Sequence, residues 1–366
     1  LENIALLLVD ESSMLSSDAL NIILECSFYS KTRLIFVGDP AQLPPVGENL
    51  SPVFSMKDAL NIQLNNIVRY QGSIVKLSSL LRNNNFSLSP FPLWLNTVES
   101  NGVYSLNKQD WIKKAKESIK LASEKQNVDN ARILCFTNRY IEYIVPEIRK
   151  AIYGNIAKEN VVLPGEIVMS LKPIKSEAII EDLYDNKNSK LIMGSNREMK
   201  VTEVKHHKYD LDDYKIFNFY DIDYEPIYTL SIKIDYGMKS YNIRLLPELG
   251  TLSRENYEAI LFNISKLARS LSGIKSKRLW KSFFFFRDSF ATVSPASVLT
   301  IHRSQGSTFE NVFVADDIYS VTNKQLRNQL AYVAITRASK NIYLVGDEEY
   351  ISNFDDWYRI NSIKKD

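Results

Sequence analysis

The sequence is poor in the residues that build disulfide frameworks, metal centres and membrane spans. Among its 366 residues are two cysteines and three histidines. Cys26 and Cys135 have no CxxC spacing, which favours two reduced thiols in a cytoplasmic protein over a disulfide or a metal pair. His206 and His207 have no partner at ligand spacing, so a zinc site is not expected. No apolar run approaches the roughly 18 residues that cross a bilayer, and no basic segment precedes the first apolar stretch as in a signal peptide.

The balance of charge carries little information about partners. The 45 basic and 43 acidic residues give a net charge of +2, so a surface for nucleic acid would have to be a local basic patch. Apolar residues make up 45% of the chain, which is enough for packed cores, and the length predicts two or three domains. The chain begins with Leu1 and enters a buried-type strand almost at once, as we expect of a piece of a longer chain.

Two sets of α/β elements are indicated by apolar periodicity. Residues 3–12 (NIALLLVDES) and 32–39 (TRLIFVGD) have the continuous apolar runs of strands buried on both faces. Between them, Leu20, Ile23, Leu24 and Phe28 have helical spacing after Ser or Asp N-cap candidates, which predicts a βαβ unit and a parallel sheet. A second set has a helix over 112–122, strands over 132–138, 297–306, 312–317 and 341–347, and a helical stripe over 141–152 that Pro146 should break or kink.

Residues 156–275 follow a different pattern. The segment 227–236 (IYTLSIKIDY) alternates strictly between two faces. One face has Tyr228 and every second residue up to Tyr236, and the other has Thr229 and every second residue up to Asp235. Segments 165–172 and 214–220 look similar. Short alternating strands predict a small inserted β-barrel or sandwich. A helix follows with apolar residues from Tyr257 to Leu271 and Gly273 as its stop. For the FFFF run at 283–286 core packing is favoured over base stacking.

Polar groups follow the first two predicted strands. Asp10 and Glu11 end the first, where one carboxylate can hold Mg²⁺ through water while its neighbour orients an attacking water. The second ends in GDPAQLPPV, in which Gly38 allows close backbone approach, Asp39 can turn the chain and Gln42 can bond a phosphate or a water. Both sets belong at the ligand-binding edge of a parallel sheet, although an acidic pair alone is more often a solvated turn.

The segments VDESSM and GDPAQLPPV resemble the second and third motifs of superfamily 1 helicases. Further segments agree with that family in order: 67–82 (IVRYQGSIVKLSSLLR), 136–144 (FTNRYIEYI), 299–314 (LTIHRSQGSTFENVFV) and 332–345 (YVAITRASKNIYLV). Within the family the sequence is similar to the Dda-like phage helicase group, whose members move 5′ to 3′ on DNA. The resemblance covers most of the chain.

The resemblance implies an α/β fold with two RecA-like parallel-sheet motor domains, the first incomplete, and a small inserted SH3-like β-barrel. The expected domains are the C-terminal part of the first motor domain (1–88), the second motor domain (89–155 and 290–366) and the inserted β-rich domain with its following helix (156–289). The inserted domain would wall the exiting strand and brace the element that splits the duplex.

The resemblance also implies roles for individual residues. The catalytic set would be Glu11, Gln42, Arg69 and Arg337, with Glu11 as the base and the two arginines reaching the γ-phosphate of ATP. Tyr70 follows Arg69 where relatives commonly carry another polar residue, which makes Arg69 the less secure of the two. ATP and Mg²⁺ would be bound with the help of Asp10 (to Mg²⁺, through water), Gly38, Asp39, Gln305 and Gly306. Single-stranded DNA would be contacted by short polar groups that read no sequence: Thr137, Asn138, Thr300, His302, Ser304 and Ser307.

One element of such ATPases is missing from the sequence. The phosphate-binding loop has the form GxxxxGK[ST], and no glycine in the chain is followed by lysine. One hypothesis is therefore the C-terminal portion of an ATP-dependent DNA helicase that translocates 5′ to 3′ on single strands, unwinds duplex DNA and is inactive as this fragment alone. The other is an ATPase-inactive nucleic-acid-binding remnant. The first is favoured by the presence of Asp10, Glu11, Gln42, Arg69 and Arg337, because a remnant under no catalytic demand should lose such groups.

The expected partners follow from the resemblance as well. They are single-stranded DNA and forked or tailed duplex DNA, with replication proteins as further candidates. We expect a monomer that does not associate with membranes and acts in the cytoplasm, the host cytoplasm if the protein is phage-encoded.

Overall fold

A computed structural model of the chain describes residues 4–64, 66–83, 88–94, 102–175, 191–209 and 226–362. Internal contacts divide the chain into two units, which we call unit 1 (Leu1–Ile152 with Ser297–Asp366) and unit 2 (Tyr153–Ala296). The helices in the described residues are α1 (Ser17–Ser30), α2 (Ser73–Arg82), α3 (Lys108–Glu124), α4 (Asn138–Tyr153), α5 (Ile156–Glu159), α6 (Leu252–Ser270), α7 (Gly273–Asp288), α8 (Lys324–Ile335) and α9 (Phe354–Ser362). None of these helices is long and apolar enough to span a membrane.

The strands in the same residues are β1 (Leu6–Val9), β2 (Arg33–Phe36), β3 (Phe91–Trp94), β4 (Gly102–Leu106), β5 (Ala131–Cys135), β6 (Ile167–Ser170), β7 (Ile174–Lys175), β8 (Leu191–Met193), β9 (Glu198–Tyr209), β10 (Ile227–Tyr236), β11 (Lys239–Leu245), β12 (Phe290–Ala291), β13 (Val293–Pro295), β14 (Val298–Thr300), β15 (Phe309–Val314) and β16 (Ala338–Ile351).

Unit 1 begins with the predicted βαβ unit. β1 and β2 are parallel neighbours, with Leu6 opposite Arg33 and Val9 opposite Phe36, and α1 connects them. The helix begins where the side chain of Ser16 accepts a hydrogen bond from the N–H of Ala19, which is the N-cap arrangement that the sequence predicts.

Burial of this small sheet differs from the prediction. Leu6 and Leu8 are 52% and 58% exposed, and on α1 the side chain of Phe28 is 81% exposed whereas Leu20 is buried. Within the described part of the chain β1 and β2 pair only with each other, and the face that carries Leu6 and Leu8 is largely open to solvent. The prediction of two strands buried on both faces is therefore wrong.

A second parallel sheet forms the centre of unit 1. Its strand order is β14-β5-β15-β16-β3, and β4 also pairs with β16; every pairing is parallel. The helices α3 and α4 cover it with the apolar stripes that the sequence indicates, including Ala115, Ile119, Ile144 and Ile148. Each isoleucine that is fully buried in this way contributes about 1.5–3 kcal/mol of transfer free energy.

Pro146 does not break α4, which runs from Asn138 to Tyr153 with the proline inside it. A proline removes one backbone N–H and its ring crowds the preceding turn. Here the neighbouring turns carry Ile144 and Ile148, both buried in the core of unit 1. That burial offsets the lost hydrogen bond, so the helix is not broken, and the alternative of a kink stays a prediction.

Unit 2 contains a six-stranded mixed sheet with the order β12-β11-β10-β9-β6-β13. All neighbours are antiparallel except β11 and β12. Its core includes Val168, Val201, Ile232 and Ile243. The predicted fold class is confirmed, with parallel α/β sheets in unit 1 and a small mixed sheet compatible with an inserted barrel in unit 2; the predicted strand at 214–220 lies outside the described residues. The assignment of residue ranges to motor domains stays a prediction.

The alternation predicted for β10 holds in only part of the strand. Ile232 and Ile234 are buried and Lys233 is exposed, as expected, but Tyr228 is exposed and Thr229 is buried. The reason is that the strand contributes to two apolar clusters, one containing Ile232 and Ile234 and the other containing its first residue beside α6 and α7.

A hairpin of α6 and α7 completes unit 2. α6 buries Tyr257, Ile260 and Ile264 on the predicted face. Gly273 has a φ of +65° and begins α7, so its predicted role as the stop of α6 is wrong. The sequence did not predict α7. Within the FFFF run Phe286 is fully buried, whereas Phe284 is 45% exposed, so core packing explains the run only in part.

Candidate active site

The acidic pair after β1 has a fixed and unusual backbone. Glu11 lies in the left-handed region with a φ of +50° and begins a 3₁₀ turn. Asp10 Oδ1 accepts the N–H of Glu11 at 2.8 Å. The next residue, Ser12, donates both its N–H and its hydroxyl to the carbonyl of Val37, each at 2.9 Å. A non-glycine residue with positive φ is uncommon and is often found at functional sites, and these bonds tie the acidic turn to the end of β2.

Gly38 lets the loop after β2 lie directly against that turn. A Cβ at this position would lie 2.7 Å from Ser12 Oγ and 2.9 Å from the backbone nitrogen of Ser13. Real Cβ atoms do not come so near to backbone, so only glycine fits without a shift. The close backbone approach that the sequence predicts at Gly38 is present.

Several amide and hydroxyl groups around this turn are buried without a hydrogen-bond partner in the described residues: Ser13 Oγ, Gln42 Oε1, and both polar atoms of the Gln305 amide. An unsatisfied buried polar group costs about 1–3 kcal/mol, so such groups indicate a polar ligand. The neighbour of Gln305 is close to the acidic turn, because a Cβ at Gly306 would lie 3.6 Å from Glu11 Oε1. These orphaned groups are compatible with the phosphates and hydrated cation that the resemblance implies.

Arg337, just beyond α8, is a buried guanidinium with neutral partners. It is 1% exposed and donates to the carbonyls of Val333 (3.1 Å) and Ser307 (3.2 Å) and to the hydroxyl of Thr336 (3.2 Å). Arg337 takes part in none of the salt bridges found among the described residues. A buried charge without a counter-ion is costly, which favours an anion beside Arg337.

The electrostatics bring three of the predicted catalytic residues together. Burial, followed by the positive charge of Arg69, lowers the pKa of Arg337 to about 10, and the carboxylate of Glu11 opposes that shift. Arg69 itself is exposed. Arg337 therefore interacts electrostatically with both Glu11 and Arg69, and an anion between the two arginines would relieve their repulsion.

Asp39 is engaged by protein groups that the sequence did not single out. Its Oδ2 accepts the hydroxyl of Tyr332 at 2.7 Å, and the guanidinium of Arg82 lies 3.2 Å from Oδ1 and 3.3 Å from Oδ2. Oδ1 also accepts the N–H of Ala41 at 3.1 Å. Burial, followed by the charge of Asp39, raises the pKa of the Tyr332 hydroxyl, which keeps it a proton donor. In the sequence a tyrosine within an apolar helix gives no signal of this kind, and the predicted cofactor role of Asp39 stays a prediction.

The carboxyl edge of the large sheet brings together β5 and β14, where Thr300 lies opposite Cys135. Just beyond β5, the carboxylate of Asp317 accepts the N–H of Phe136 at 3.0 Å, the N–H of Thr137 at 2.8 Å and the hydroxyl of Thr137 at 3.0 Å. Sequence reasoning missed Asp317. The available signal was an acidic pair at the end of VFVADD, the same pattern that marks the end of the first strand.

The predicted DNA-contacting residues differ in how accessible their side chains are. Asn138 and His302 are exposed, and burial of part of its ring lowers the pKa of His302. Ser304 is fully buried with its hydroxyl bonded to the carbonyl three residues earlier, and the hydroxyl of Thr300 accepts a backbone N–H. Ser307 is half-buried, and its carbonyl accepts Arg337. The nucleic-acid role of all six residues stays a prediction, and Asn138 and His302 are the most available of the set.

Comparisons with known proteins find similarity to helicases. Residues 295–345 match the family model of the UvrD-like helicase C-terminal domain, and residues 1–116 match that of an AAA domain. The chain is 22% identical over 347 residues to the ATP-dependent DNA helicase dda of Enterobacteria phage T4, covering 93% of this chain and 75% of the relative. It is 25% identical over 381 residues to an uncharacterised protein of Acanthamoeba polyphaga mimivirus, with the same two coverages.

Solved structures of Pif1 helicases are also similar to this chain. One is Bacteroides Pif1 in complex with ADP-AlF3 and single-stranded DNA, with a TM-score of 0.44, 15% identity and coverage of 99% of this chain and 76% of that one. Another is Candida albicans Pif1, with a TM-score of 0.41, 16% identity and coverage of 97% and 76%.

Proposed function

Because this chain is a relative of the superfamily 1 helicases of the Dda-like group, we propose that it provides part of an ATP-dependent DNA helicase. In this proposal the whole protein translocates 5′ to 3′ on single-stranded DNA and unwinds duplex DNA. The observation that carries the proposal is that Arg337 interacts electrostatically with both Arg69 and Glu11, while Gly306, next to the unpartnered amide of Gln305, approaches the Glu11 carboxylate. A carboxylate together with two arginines suits the transfer of a phosphoryl group to water.

Each residue of this group has a proposed task. Glu11, held in its left-handed turn, orients and deprotonates the attacking water. Arg69 and Arg337 neutralise the charge that develops on the γ-phosphate oxygens. Asp10 would hold Mg²⁺ through water, and the cation would supply positive charge to the phosphates. Asp10 suits this task because it is exposed and uses one oxygen on the N–H of Glu11.

The same geometry offers a link between nucleotide and DNA. Arg337 donates to the carbonyl of Ser307, and Ser307 lies in the segment that also carries His302. A movement of the arginine towards phosphate would therefore act on the backbone of the proposed DNA-contacting segment. We propose that Asn138, His302 and Ser307 contact the sugar–phosphate backbone of a single strand, which needs no sequence-specific groups.

The finer points of the proposal rest on the family. They are the use of forked or tailed duplexes, a monomeric state, replication proteins as candidate partners, a cytoplasmic place of action, and the domain ranges 1–88, 89–155 with 290–366, and 156–289. The 366-residue chain by itself should not hydrolyse ATP, because its sequence contains no Gly–Lys dipeptide for a phosphate-binding loop. That same observation favours the second candidate, a nucleic-acid-binding protein without ATPase activity.

The gene sequence upstream of the Leu1 codon separates the two candidates. A GxxxxGK[ST] motif in frame supports the helicase, whereas a start codon directly before Leu1 supports the binding protein. The protein made from the whole reading frame is then assayed for DNA-stimulated ATP hydrolysis and for unwinding of duplexes with 5′ or 3′ tails.

Glu11→Gln tests the catalytic assignment in that protein. The variant should keep nucleotide and DNA binding and lose at least about 100-fold in turnover, the usual contribution of a general base. Glu25→Gln, on the exposed surface of α1, is the matched control and should retain full turnover. Turnover near the wild-type rate in Glu11→Gln contradicts the role of Glu11, and robust ATPase activity of the 366-residue chain contradicts the need for a separate phosphate-binding loop.

A further inference from the structure

The hairpin of α6 and α7 concentrates positive charge in a chain that is nearly neutral overall. α7 carries five basic residues, Lys275, Lys277, Arg278, Lys281 and Arg287, and a single acidic one, Asp288. The whole chain has 45 basic and 43 acidic residues. This excess of positive charge on one helix is a local basic patch, which a chain of nearly neutral overall charge can still have.

The single acidic residue of α7 does not neutralise the patch. Asp288 is bonded to its neighbour Arg287 at 2.7 Å and to Lys175 at 3.2 Å. No salt bridge in the described residues involves Lys275, Lys277 or Arg278. Their charges are therefore available to a ligand from solution.

Packing fixes which side of α7 faces outward. Leu279, Ser282 and Phe286 are buried at helical spacing against unit 2. Lys277, Lys281 and Phe284 follow one another at i, i+4 and i+7 and are all exposed, so they share the outward side of the helix. We call these three residues the α7 stripe.

The aromatic member of the stripe is held in a defined orientation. The ring of Phe284 is 6.0 Å from that of Trp280, one turn earlier, with 30° between their planes. The guanidinium of Arg287 lies 4.9 Å from the Phe284 centroid. A large aromatic side chain that stays 45% exposed while packed between two neighbours loses little further conformational freedom on binding a flat partner.

We propose that the α7 stripe is a contact surface for single-stranded DNA that is separate from the motif residues of unit 1. Lys277 and Lys281 neutralise phosphates one helical turn apart, and Phe284 stacks on an unpaired base. Exposed aromatic rings beside cationic side chains are the combination by which proteins bind single strands without reading sequence. An acidic protein segment would use the lysines but has no need of the ring, so the aromatic residue favours nucleic acid. The inference shares with the proposed function the premise that DNA is the ligand, but it requires no nucleotide hydrolysis.

The test measures fluorescence anisotropy of a labelled oligothymidylate, and of a duplex of equal length, with the purified 366-residue chain over a range of salt concentrations. Lys277→Ala with Lys281→Ala should weaken single-strand binding and lower the salt slope by about 1.4, since each phosphate contact contributes roughly 0.7. The matched control is Lys113→Ala with Lys120→Ala, two exposed lysines two turns apart on α3. It removes the same charge and should leave the slope unchanged.

The stacking contact has its own readout. Phe284→Ala should reduce affinity for the single strand by roughly fivefold to a hundredfold without changing the salt slope or the affinity for the duplex. Phe284→Tyr should restore binding, and Phe262→Ala, an exposed phenylalanine on α6, should have no effect. Far-UV circular dichroism and thermal unfolding establish that each variant is folded.

Three results would overturn the inference. The first is no single-strand binding by the wild-type chain. The second is a stripe variant that behaves like the control pair on α3, which assigns the binding to diffuse charge. The third is an equal loss of single-strand and duplex binding in Phe284→Ala. Failure of ATP-dependent unwinding in the whole protein would leave the inference standing, so the two proposals fail separately.

Discussion

Tyr332→Phe is expected to loosen the connection between α8 and the loop after β2. The change removes one hydroxyl that donates to Asp39 Oδ2 at 2.7 Å in a buried setting. A hydrogen bond to a charged group contributes about 1.5–3 kcal/mol. Asp39 keeps Arg82 and the N–H of Ala41 as partners, which places the expected loss near the lower end, at about 1.5 kcal/mol of unfolding free energy.

Arg82 gives a useful contrast in the same network. Its side chain is 39% exposed, and exposed ion pairs contribute only about 0.2–1 kcal/mol. Arg82→Ala should therefore cost less than Tyr332→Phe, although it deletes a formal charge. In an Asp39→Asn background the cost of Tyr332→Phe should fall to about 0.5 kcal/mol, the lower range for a neutral hydrogen bond, which gives a coupling energy of about 1 kcal/mol in a double-mutant cycle.

The assay can be confined to unit 1. Of the four tryptophans, Trp94, Trp111 and Trp357 are buried residues of unit 1 and Trp280 lies in unit 2. In a Trp280→Phe background, urea unfolding followed by tryptophan fluorescence reports on unit 1 alone. This matters because a chain of two units need not unfold in a single step.

The pH dependence supplies an independent check on Tyr332. Its folded-state pKa is raised, first by burial and then by Asp39, so its contribution is complete below the ordinary tyrosine pKa of about 10 and is lost as pH rises towards the folded value. The difference in stability between wild type and Tyr332→Phe should shrink above about pH 10. A loss below about 0.5 kcal/mol at neutral pH, the size of an ordinary surface change, would refute the assigned role, as would additive costs with Asp39→Asn.

Three further changes test other parts of unit 1. Gly38→Ala should lower the unfolding free energy by about 1–3 kcal/mol through overpacking, because the new Cβ would lie 2.9 Å from a backbone atom. The control is Gly102→Ala, whose Cβ would have only a 4.0 Å contact. Similar unfolding midpoints for the two variants would contradict the close approach at Gly38. Asp317→Asn should cost about 1–3 kcal/mol, since its amide cannot accept all the donors of Phe136 and Thr137; unchanged urea unfolding would count against it. His302→Ala should weaken single-strand binding more than nucleotide binding, and equal losses would indicate a structural role. Because burial lowers the pKa of His302, this residue is neutral at pH 7, so any DNA affinity that it gains from charge should appear only as pH falls below its ordinary value of about 6.5.

Local periodicity was a good guide to the elements of unit 1. The strands of the large sheet and the stripes of α3 and α4 follow from apolar spacing because they pack on a core, and the elements of the first βαβ unit follow from it as well. Where packing is absent, the same spacing misleads. Leu6 and Leu8 have the pattern of a doubly buried strand and are largely exposed, since burial depends on what lies opposite the strand and not on its own sequence.

Mixed environments limited the prediction in unit 2. Thr229 is buried and Tyr228 exposed because β10 contributes to two clusters, and an alternation rule assumes one. α7 escaped notice for a related reason, since its aromatic and basic residues surround the helix and only Leu279, Ser282 and Phe286 are buried. A helix with so narrow an apolar face has weak helical periodicity.

At the site, sequence could name residues but not their partners. Motif order indicated Glu11, Arg69 and Arg337, and in the structure Arg337 lies within electrostatic reach of the other two. Partnerships such as Tyr332 with Asp39 join residues 293 positions apart, and nothing in either local sequence announces them. Those pairings depend on the packing of whole elements, which becomes visible only once the fold is known.

α8 is where the separate observations in unit 1 meet. Near its end Tyr332 bonds the carboxylate of Asp39, and just past it Arg337 bonds the carbonyl of Ser307. A helix transmits a displacement along its length because its backbone hydrogen bonds resist stretching. A ligand that draws Arg337 away from its neutral acceptors should therefore displace Tyr332, five residues earlier, and alter its hydrogen bond to Asp39. The double-mutant cycle on Tyr332 and Asp39, repeated with and without inorganic phosphate, tests whether anion binding at Arg337 is coupled to this hydrogen bond. A coupling energy that changes with phosphate indicates that α8 is a two-state element. A coupling energy that stays the same indicates that the network is static.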